Sequence, residues 1–94
     1  MADTRRGARD RARTAAIGVR VRRVRLEQGL TQEALADRAG VHRAAVGFIE
    51  RGEREPGVSL IWRLADGLGV SLGQLMEGIE QTVPERSRPD ARGR

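Results

Sequence analysis

The sequence has no cysteine and a single histidine, and these absences exclude two common kinds of site. A chain without cysteine cannot form a disulfide framework or the usual zinc-finger ligand set. With His42 as its one histidine, we expect no metal, no cofactor and no small-molecule ligand. No apolar run approaches the roughly 18 residues of a membrane-spanning helix, and the N-terminus lacks the hydrophobic stretch of a signal peptide. These features predict a cytoplasmic protein that does not enter a membrane.

Lysine is also absent, so all 18 basic residues are arginine, and the formal net charge is +5. Coding bias explains part of this content, because a sequence rich in arginine, alanine and glycine is typical of a GC-rich bacterial genome. The chemistry has its own consequence, since guanidinium forks match both phosphate oxygens and guanine edges. A basic excess therefore favours a polyanionic partner, such as double-stranded DNA.

The 94 residues suffice for one domain. Residues 1–14 contain five arginines and few apolar side chains, which predicts a disordered basic arm, although the first helix could extend back to about Arg9. The arm has two interpretations: a solvated tail, or a segment that contacts phosphates or a minor groove beside the main site. Residues 15–80 are predicted to form the folded domain, and residues 81–94, rich in arginine and proline, a disordered tail.

Residues 32–51 have the pattern of two short helices joined at a glycine. Small Ala36 suits the close crossing of two helices, and Gly40 stands where a chain leaving a helix often needs a left-handed backbone. Val46 and Ile49 are three residues apart and therefore share one face of the second of these helices. The pattern predicts a helix-turn-helix, whose second helix would enter the major groove of DNA.

Four segments carry a resemblance to a known family: RxxxGLTQEALA, AGVHR, FIERGER and LADGLGVSLGQL. They lie within residues 17–75, and this part of the chain resembles the Cro and phage-repressor (XRE) type of helix-turn-helix domain. The second and third segments are especially similar to the controller proteins of restriction-modification systems. The resemblance implies an all-α, five-helix bundle of the lambda-repressor-like type with flexible terminal arms. It also implies a homodimeric transcriptional regulator that reads a palindromic or pseudo-palindromic operator.

Arg25 lies beside the apolar stripe of the first helix, so its guanidinium is predicted to reach inward. A lone buried arginine is costly and needs a carboxylate partner. Glu50 is the candidate, because at about 100° per residue it falls only about 40° from Val46 on the inward side of the third helix. The resemblance implies the same role for Arg25 and Glu50, an ion pair that ties the first helix to the third.

The opposite side of the third helix carries the candidates for base contact. With Val46 inward, the outward arc holds Arg43, Ala44, Gly47 and Phe48. Small residues let a helix approach the bases closely, and an arginine can read guanine O6 and N7 through two hydrogen bonds. Phe48 has two interpretations: apolar contact with a thymine methyl group, or a partly buried position against the neighbouring loop.

Five residues are candidates for contact with DNA phosphates: Thr31, Gln32, His42, Arg51 and Arg54. Thr31 is the predicted N-cap of the second helix, and His42 would cap the third helix or contact phosphate at its start. Gln32 is either an ordinary first-turn residue or a phosphate anchor, and the resemblance favours an anchor that also braces the next helix. Arg54 either contacts phosphate or lies in a solvated loop, since glutamates flank it.

Beyond the third helix, helical spacing of apolar residues returns. A fourth helix with Trp62 in the core is predicted from Val58, Ile61, Trp62, Ala65 and Leu68. Ser71 and Gln74 predict a capping box at the start of a fifth helix. The apolar stripe continues past the minimal end of the domain, and its last members are candidates for a homodimer surface: Met76, Ile79 and Val83.

Two other functions compete with DNA reading. A helical protein-interaction adaptor would keep the fold without specific DNA contacts, and Ala44, Gly47 and Phe48 favour it because they offer few hydrogen bonds. An enzyme is not expected, because one histidine, no cysteine and scattered carboxylates provide neither an acid–base pair nor a nucleophile. A sequence-specific regulator of transcription is the function that the sequence favours.

Overall fold

The computed structural model describes residues 4–79, which contain five α-helices and the loops between them. The helices are α1 (Thr4–Glu27), α2 (Gln32–Ala39), α3 (Arg43–Glu50), α4 (Val58–Leu68) and α5 (Leu72–Met76). No strand occurs within residues 4–79. The most extensive packing joins α2 to α4 and α1 to α3. The prediction of an all-α, five-helix bundle is confirmed.

Local hydrogen bonds determine where the short helices begin and end. Thr31 Oγ1 accepts a hydrogen bond from the Ala34 N–H at 2.9 Å and so caps α2. Ser71 and Gln74 form a reciprocal capping box, with distances of 3.0 and 2.8 Å. Gly40 ends α2 with a φ of 69°, in the left-handed region that favours glycine. These three features were predicted from the sequence, and the structure confirms them.

One apolar core connects all five helices. Its largest fully buried side chains are Val21, Leu35, Val46, Ile49, Leu64 and Leu75. Full burial of such a side chain stabilises a fold by about 1.5–3 kcal/mol. In addition, two side chains donate to C-terminal carbonyl groups of the last two helices: Arg20 Nη1, on α1, to Leu75 O at 3.0 Å, and Gln28 Nε2, just after α1, to Leu68 O at 2.6 Å.

The fourth helix is rotated relative to the prediction. Trp62 is 53% exposed and Val58 is 65% exposed, so the prediction that Trp62 lies in the core is wrong. The buried side consists of Ile61, Leu64, Ala65 and Leu68. Trp62 lies about 110° from the centre of that stripe, and Val58 about 70°. Packing against α2 selects this rotation: a β-carbon on Gly67 would lie only 3.0 Å from Ala39 N, so only this side can approach so closely.

The first helix is longer than predicted. It begins at Thr4, so residues 4–14 of the predicted basic arm are helical, and the helix starts five residues before Arg9, the earliest start that the sequence suggested. Alanine and arginine are strong helix formers, and lengthening an existing helix needs no new nucleation. The predicted disordered tail at residues 81–94 lies outside the described residues. No helix within residues 4–79 has the length and apolar character to span a bilayer.

Candidate nucleic-acid interface

Arg25 and Glu50 form a buried polar link between α1 and α3. Arg25 Nε donates to Glu50 Oε2 at 2.6 Å, and Arg25 Nη2 donates to Glu50 Oε1 at 2.9 Å. The Arg25 side chain is 9% exposed and that of Glu50 only 3%. Arg25 Nη1 also donates to the Leu30 carbonyl at 2.8 Å. The pair predicted from the sequence is therefore present, with the two-pronged geometry that makes an arginine–carboxylate contact strong.

The same pair is braced by a residue at the start of α2. Gln32 Nε2 donates to Glu50 Oε1 at 3.1 Å, and among the side chains of residues 7–79 no buried nitrogen or oxygen lacks a partner. The hydrogen bonds to Glu50 raise the pKa of Arg25 above its ordinary value, although burial opposes the rise. A raised arginine pKa gives stability that is fully present below the unfolded-state value and lost only as pH rises through the folded-state value. The Arg25 guanidinium therefore stays charged at physiological pH.

Gly18 permits the close approach of α1 to α3, and the sequence analysis missed it. A β-carbon at this position would lie 2.2 Å from the Ile49 carbonyl oxygen and 2.9 Å from that of Glu50. Any larger residue would therefore push α1 away from the end of α3 that holds the buried pair. A signal was available, because glycine inside a helix costs about 1 kcal/mol relative to alanine and often marks close packing.

The outward side of α3 is only partly open. Arg43 and Ala44 are exposed at its N-terminal end. Gly47, predicted as an open contact surface, is buried, because the Arg51 side chain folds over it: a β-carbon on Gly47 would lie 3.0 Å from Arg51 Nη1. Phe48 is half-buried. The uncovered surface of α3 is therefore shifted towards its first turn.

Phe48 packs against the arginines that follow α3. The guanidinium carbon of Arg54 lies 4.6 Å from the centre of the Phe48 ring, and that of Arg51 lies 5.3 Å away. Both distances are within the range of cation–π attraction. Arg51 Nε also contacts Glu53 Oε2 at 3.1 Å, and this hydrogen bond raises the pKa of Arg51. Of the two interpretations of Phe48, this arrangement matches contact with the neighbouring loop.

The N-caps of α2 and α3 keep hydrogen-bond donors for an external ligand. Thr31 Oγ1 accepts from Ala34 N–H, which leaves its hydroxyl proton to donate. His42 Nδ1 accepts from Ala44 N–H at 3.2 Å, so the proton of a neutral His42 ring belongs on Nε2. The first-turn N–H groups of both helices add donors that suit an anion.

Most of the predicted site residues meet in one open groove between α2 and α3. The residues that line this α2–α3 groove are Arg25, Thr31, Gln32, Glu33, Arg43, Ala44, Gly47, Phe48 and Arg51. All four candidates for base contact are among them, while His42 and Arg54 are not. The chain thus brings base-contact and phosphate-contact candidates together.

Within residues 4–79, no three histidine, cysteine or acidic side chains converge as a metal site requires.

Glu33 is a groove residue that the sequence analysis did not select. Its Oε2 lies 3.7 Å from Arg43 Nη1, in an ion pair whose side chains are 72% and 66% exposed, respectively. Its place in the first turn of α2, where a carboxylate complements the helix dipole, suggested no separate role. An acidic residue on an otherwise basic surface was the available signal.

The candidates for a dimer surface are mostly not open. Ile79 is 6% exposed and belongs to the monomer's own buried core, so its prediction as a free dimer contact is wrong. Met76 is partly buried against the core, and Val83 lies outside the described residues. Among the described residues, the exposed large apolar side chains are on α1 and α4: Val19, Leu26, Val58 and Trp62.

A family model described as helix-turn-helix (HTH_3) matches residues 21–75. The chain belongs to this helix-turn-helix family. A relative from Sinorhizobium fredii, the uncharacterized HTH-type transcriptional regulator y4dJ, is 38% identical over 66 residues, which cover 70% of this chain and 86% of the relative. These matches make the chain a transcriptional regulator of the helix-turn-helix type. The relative is named as a regulator and not as an enzyme.

Two solved structures relate the helix-turn-helix chain to restriction-modification controller proteins. C.AhdI from Aeromonas hydrophila is 37% identical, with a TM-score of 0.64 over 66% of this chain and 94% of that one. C.Esp1396I, solved as a tetramer in complex with its natural 35 base-pair operator, is 27% identical, with a TM-score of 0.69 over 76% of this chain and 93% of that one. The resemblance to the XRE type and to controller proteins is confirmed.

Proposed function

We propose that this helix-turn-helix regulator binds a palindromic or pseudo-palindromic DNA operator, with the first turn of α3 in the major groove. The observation that carries the proposal is the α2–α3 groove. It combines exposed Arg43 and Ala44 with the N-terminal turn of α2, which offers Thr31 and Gln32. Base reading requires exposed residues on a helix that can enter the groove, such as Arg43 and Ala44. Positioning on the phosphates requires hydrogen-bond donors, such as Thr31 and Gln32.

The residues in and beside the groove have the following proposed roles. Arg43 reads guanine O6 and N7, and Ala44 lets the helix approach the bases. Thr31 and Gln32 donate to one phosphate, with Gln32 still held by Glu50. Arg51 and Arg54 contact phosphates at the other end of α3, where the Phe48 ring orients them. His42 Nε2 provides a further donor to phosphate.

Binding as a homodimer completes the proposal. A pseudo-palindromic operator has two half-sites, and a two-fold dimer presents one α3 to each, about one helical turn of DNA or a multiple of it apart. The related controller protein C.Esp1396I, which binds its operator as a tetramer, supports this arrangement. Met76 is the member of the predicted dimer surface that keeps some exposure within the described residues.

The test begins with selection of bound duplexes from a random library by the full chain. A recovered palindrome would give the operator and the half-site spacing together. Arg43→Ala should then weaken operator binding by about 1–3 kcal/mol and relax discrimination at one base pair. Arg23→Ala is the matched control, because Arg23 is an exposed arginine paired with Glu27 on α1, outside the groove. Affinities are measured by gel shift at fixed salt.

Two results would contradict the proposal. Equal weakening of Arg43→Ala on every duplex would remove Arg43 from base reading. The absence of any salt-sensitive retardation, together with a co-purified protein partner, would favour the adaptor.

A further inference from the structure

Glu33 occupies a position that a DNA-binding surface does not favour. Of the residues that line the α2–α3 groove, it is the one acid, facing a groove lined by Arg25, Arg43 and Arg51. A carboxylate in this groove repels the phosphates of any duplex that approaches. Its contribution to folding is small, because an exposed ion pair stabilises a protein by about 0–1 kcal/mol. Neither stability nor general DNA affinity accounts for the geometry.

The Arg43 contact suggests what the carboxylate does. Glu33 Oε2 approaches one terminal nitrogen of Arg43, Nη1, at 3.7 Å. A guanidinium has five N–H donors in a planar fork, so the donors on Nε and Nη2 stay available. Two donors are what guanine O6 and N7 require. Glu33 can therefore hold Arg43 through Nη1 while the N–H groups on Nε and Nη2 remain free to bind guanine.

We infer that Glu33 is a positioning residue for specificity: it holds the Arg43 guanidinium over the groove, and its charge weakens binding to DNA that offers no guanine there. This inference rests on the proposed function of Arg43. Without Glu33, the Arg43 guanidinium could bind the nearest phosphate, and every DNA sequence provides one. An Arg43 guanidinium held by Glu33 makes both hydrogen bonds only where guanine is present. Exclusion of water at that contact also strengthens the attraction between Glu33 and Arg43.

The experiment compares two substitutions that remove the same charge from similar ion pairs. Glu33→Gln breaks the groove pair, and Glu27→Gln breaks the Arg23–Glu27 pair on α1, which also has a nitrogen–oxygen distance of 3.7 Å between exposed side chains. The probes are the selected operator, the same operator with the G·C pair read by Arg43 replaced by A·T, and an unrelated duplex. Gel shifts at two salt concentrations give the three affinities, and circular dichroism confirms the fold.

Glu33→Gln should raise affinity for the unrelated duplex about threefold, because a repulsive charge is lost. Its discrimination between the operator and the A·T variant should fall about fivefold, because Arg43 loses its guide. Glu27→Gln should leave discrimination unchanged. Glu33→Asp keeps the charge but shortens the reach by one methylene, so it should lose discrimination without gaining general affinity.

A double-mutant cycle separates this inference from the proposed function. On an Arg43→Ala background, Glu33→Gln should no longer change discrimination, since Glu33 acts through Arg43. If Glu33→Gln raises all three affinities by the same factor, or behaves like Glu27→Gln, the positioning role is overturned while DNA reading by Arg43 stands. If wild-type protein shows no guanine preference that depends on Arg43, the proposed function itself has failed.

Discussion

The two arginine–glutamate pairs that hold α3 to its neighbours use the same chemical groups in opposite ways. Arg25 and Glu50 join α1 to α3 through two hydrogen bonds of 2.6 and 2.9 Å in a nearly dry environment. Glu33 and Arg43 join α2 to α3 through one contact of 3.7 Å in water. Burial makes the first pair indispensable to folding once it exists, because losing one partner strands a charge. Exposure leaves the second pair accessible, so Arg43 can contact a ligand while Glu33 stays beside it.

The comparison shows how one short helix serves both stability and function. The C-terminal end of α3 is anchored inward by Glu50, and its N-terminal end presents Arg43 outward. An anchored C-terminal end keeps Arg43 at a defined position relative to Thr31 and Gln32, the residues at the start of α2 proposed to contact phosphates. Substitutions in the two pairs should therefore affect different measurements.

The largest expected effect is on folding, from Glu50→Gln. This change leaves the Arg25 guanidinium buried without a counter-charge, and it should lower the free energy of unfolding by about 3–5 kcal/mol. Glu33→Gln is the matched control and should cost at most about 1 kcal/mol, since its pair and its dipole contribution are both exposed. Urea denaturation followed by circular dichroism measures both. Equal losses would show that burial does not distinguish the pairs.

The next effect concerns the approach of α1 that creates the buried pair. Gly18→Ala places a β-carbon 2.2 Å from the Ile49 carbonyl oxygen, so we expect a loss of about 1–3 kcal/mol from overpacking despite the better helix propensity of alanine. Gly7→Ala in the same helix is the control, because its β-carbon would meet only the end of the Arg11 side chain at 3.3 Å. Thermal melts should show a lower Tm for the first variant alone. Similar melting temperatures would mean that α1 can shift without cost.

A smaller effect should appear in binding, on the open side of α3. Phe48→Leu removes the ring beneath Arg51 and Arg54, and each cation–π contact at an exposed site is worth about 0.5–1 kcal/mol. Affinity for the operator and for an unrelated duplex should fall by the same factor. Probes with deoxyuridine in place of single thymines provide the check. For this check Phe48 is also replaced by alanine, which is too small to reach a base. A loss of wild-type affinity at one deoxyuridine position that is absent in Phe48→Ala would instead assign Phe48 to a thymine methyl group.

The smallest effect is expected at the basic start of α1, from the ion pair with the longest nitrogen–oxygen distance among the described residues. Arg13 Nη1 lies 4.0 Å from Asp10 Oδ1, and both side chains are largely exposed. Arg13→Ala should change stability by less than about 0.5 kcal/mol. It should lower affinity evenly on all duplexes and reduce the salt slope by no more than about 1. Gel shifts across a salt series measure this, and any change in sequence discrimination would place Arg13 at a base edge.

Local patterns in the sequence predicted much of the fold and one of the two arginine–glutamate pairs of α3. Thr31, Gly40 and the Ser71–Gln74 box follow from cap chemistry, which involves residues only a few positions apart. The Arg25–Glu50 pair followed from helical angles and the cost of a lone buried charge, supported by the family resemblance. These inferences succeeded because each depended on the chain's own periodicity.

Predictions that needed distances between helices were less successful. Trp62 and Val58 share a helical stripe with core residues, and only the contact with α2 shows that they lie on its exposed flank. Gly47 is covered by the Arg51 side chain, four residues further along the chain, and the rotamer of Arg51 decides whether it is covered. Gly18 and Glu33 were missed because their importance lies in what another helix brings against them. The helical start of α1 was missed because composition suggested disorder where propensity and an existing helix favoured extension.

The amino-acid order alone determined that this protein is a bundle of short capped helices with a helix-turn-helix pattern and an inward arginine that needs a carboxylate. Helix periodicity, capping and the cost of burying charge are local or pairwise rules, and they can be applied without coordinates. Only the tertiary structure decided which flank of α4 is covered, how closely α1 meets the end of α3, and that Glu33 reaches Arg43 in the groove. These outcomes depend on the rotation and separation of whole helices, which the packing of the entire core sets at once.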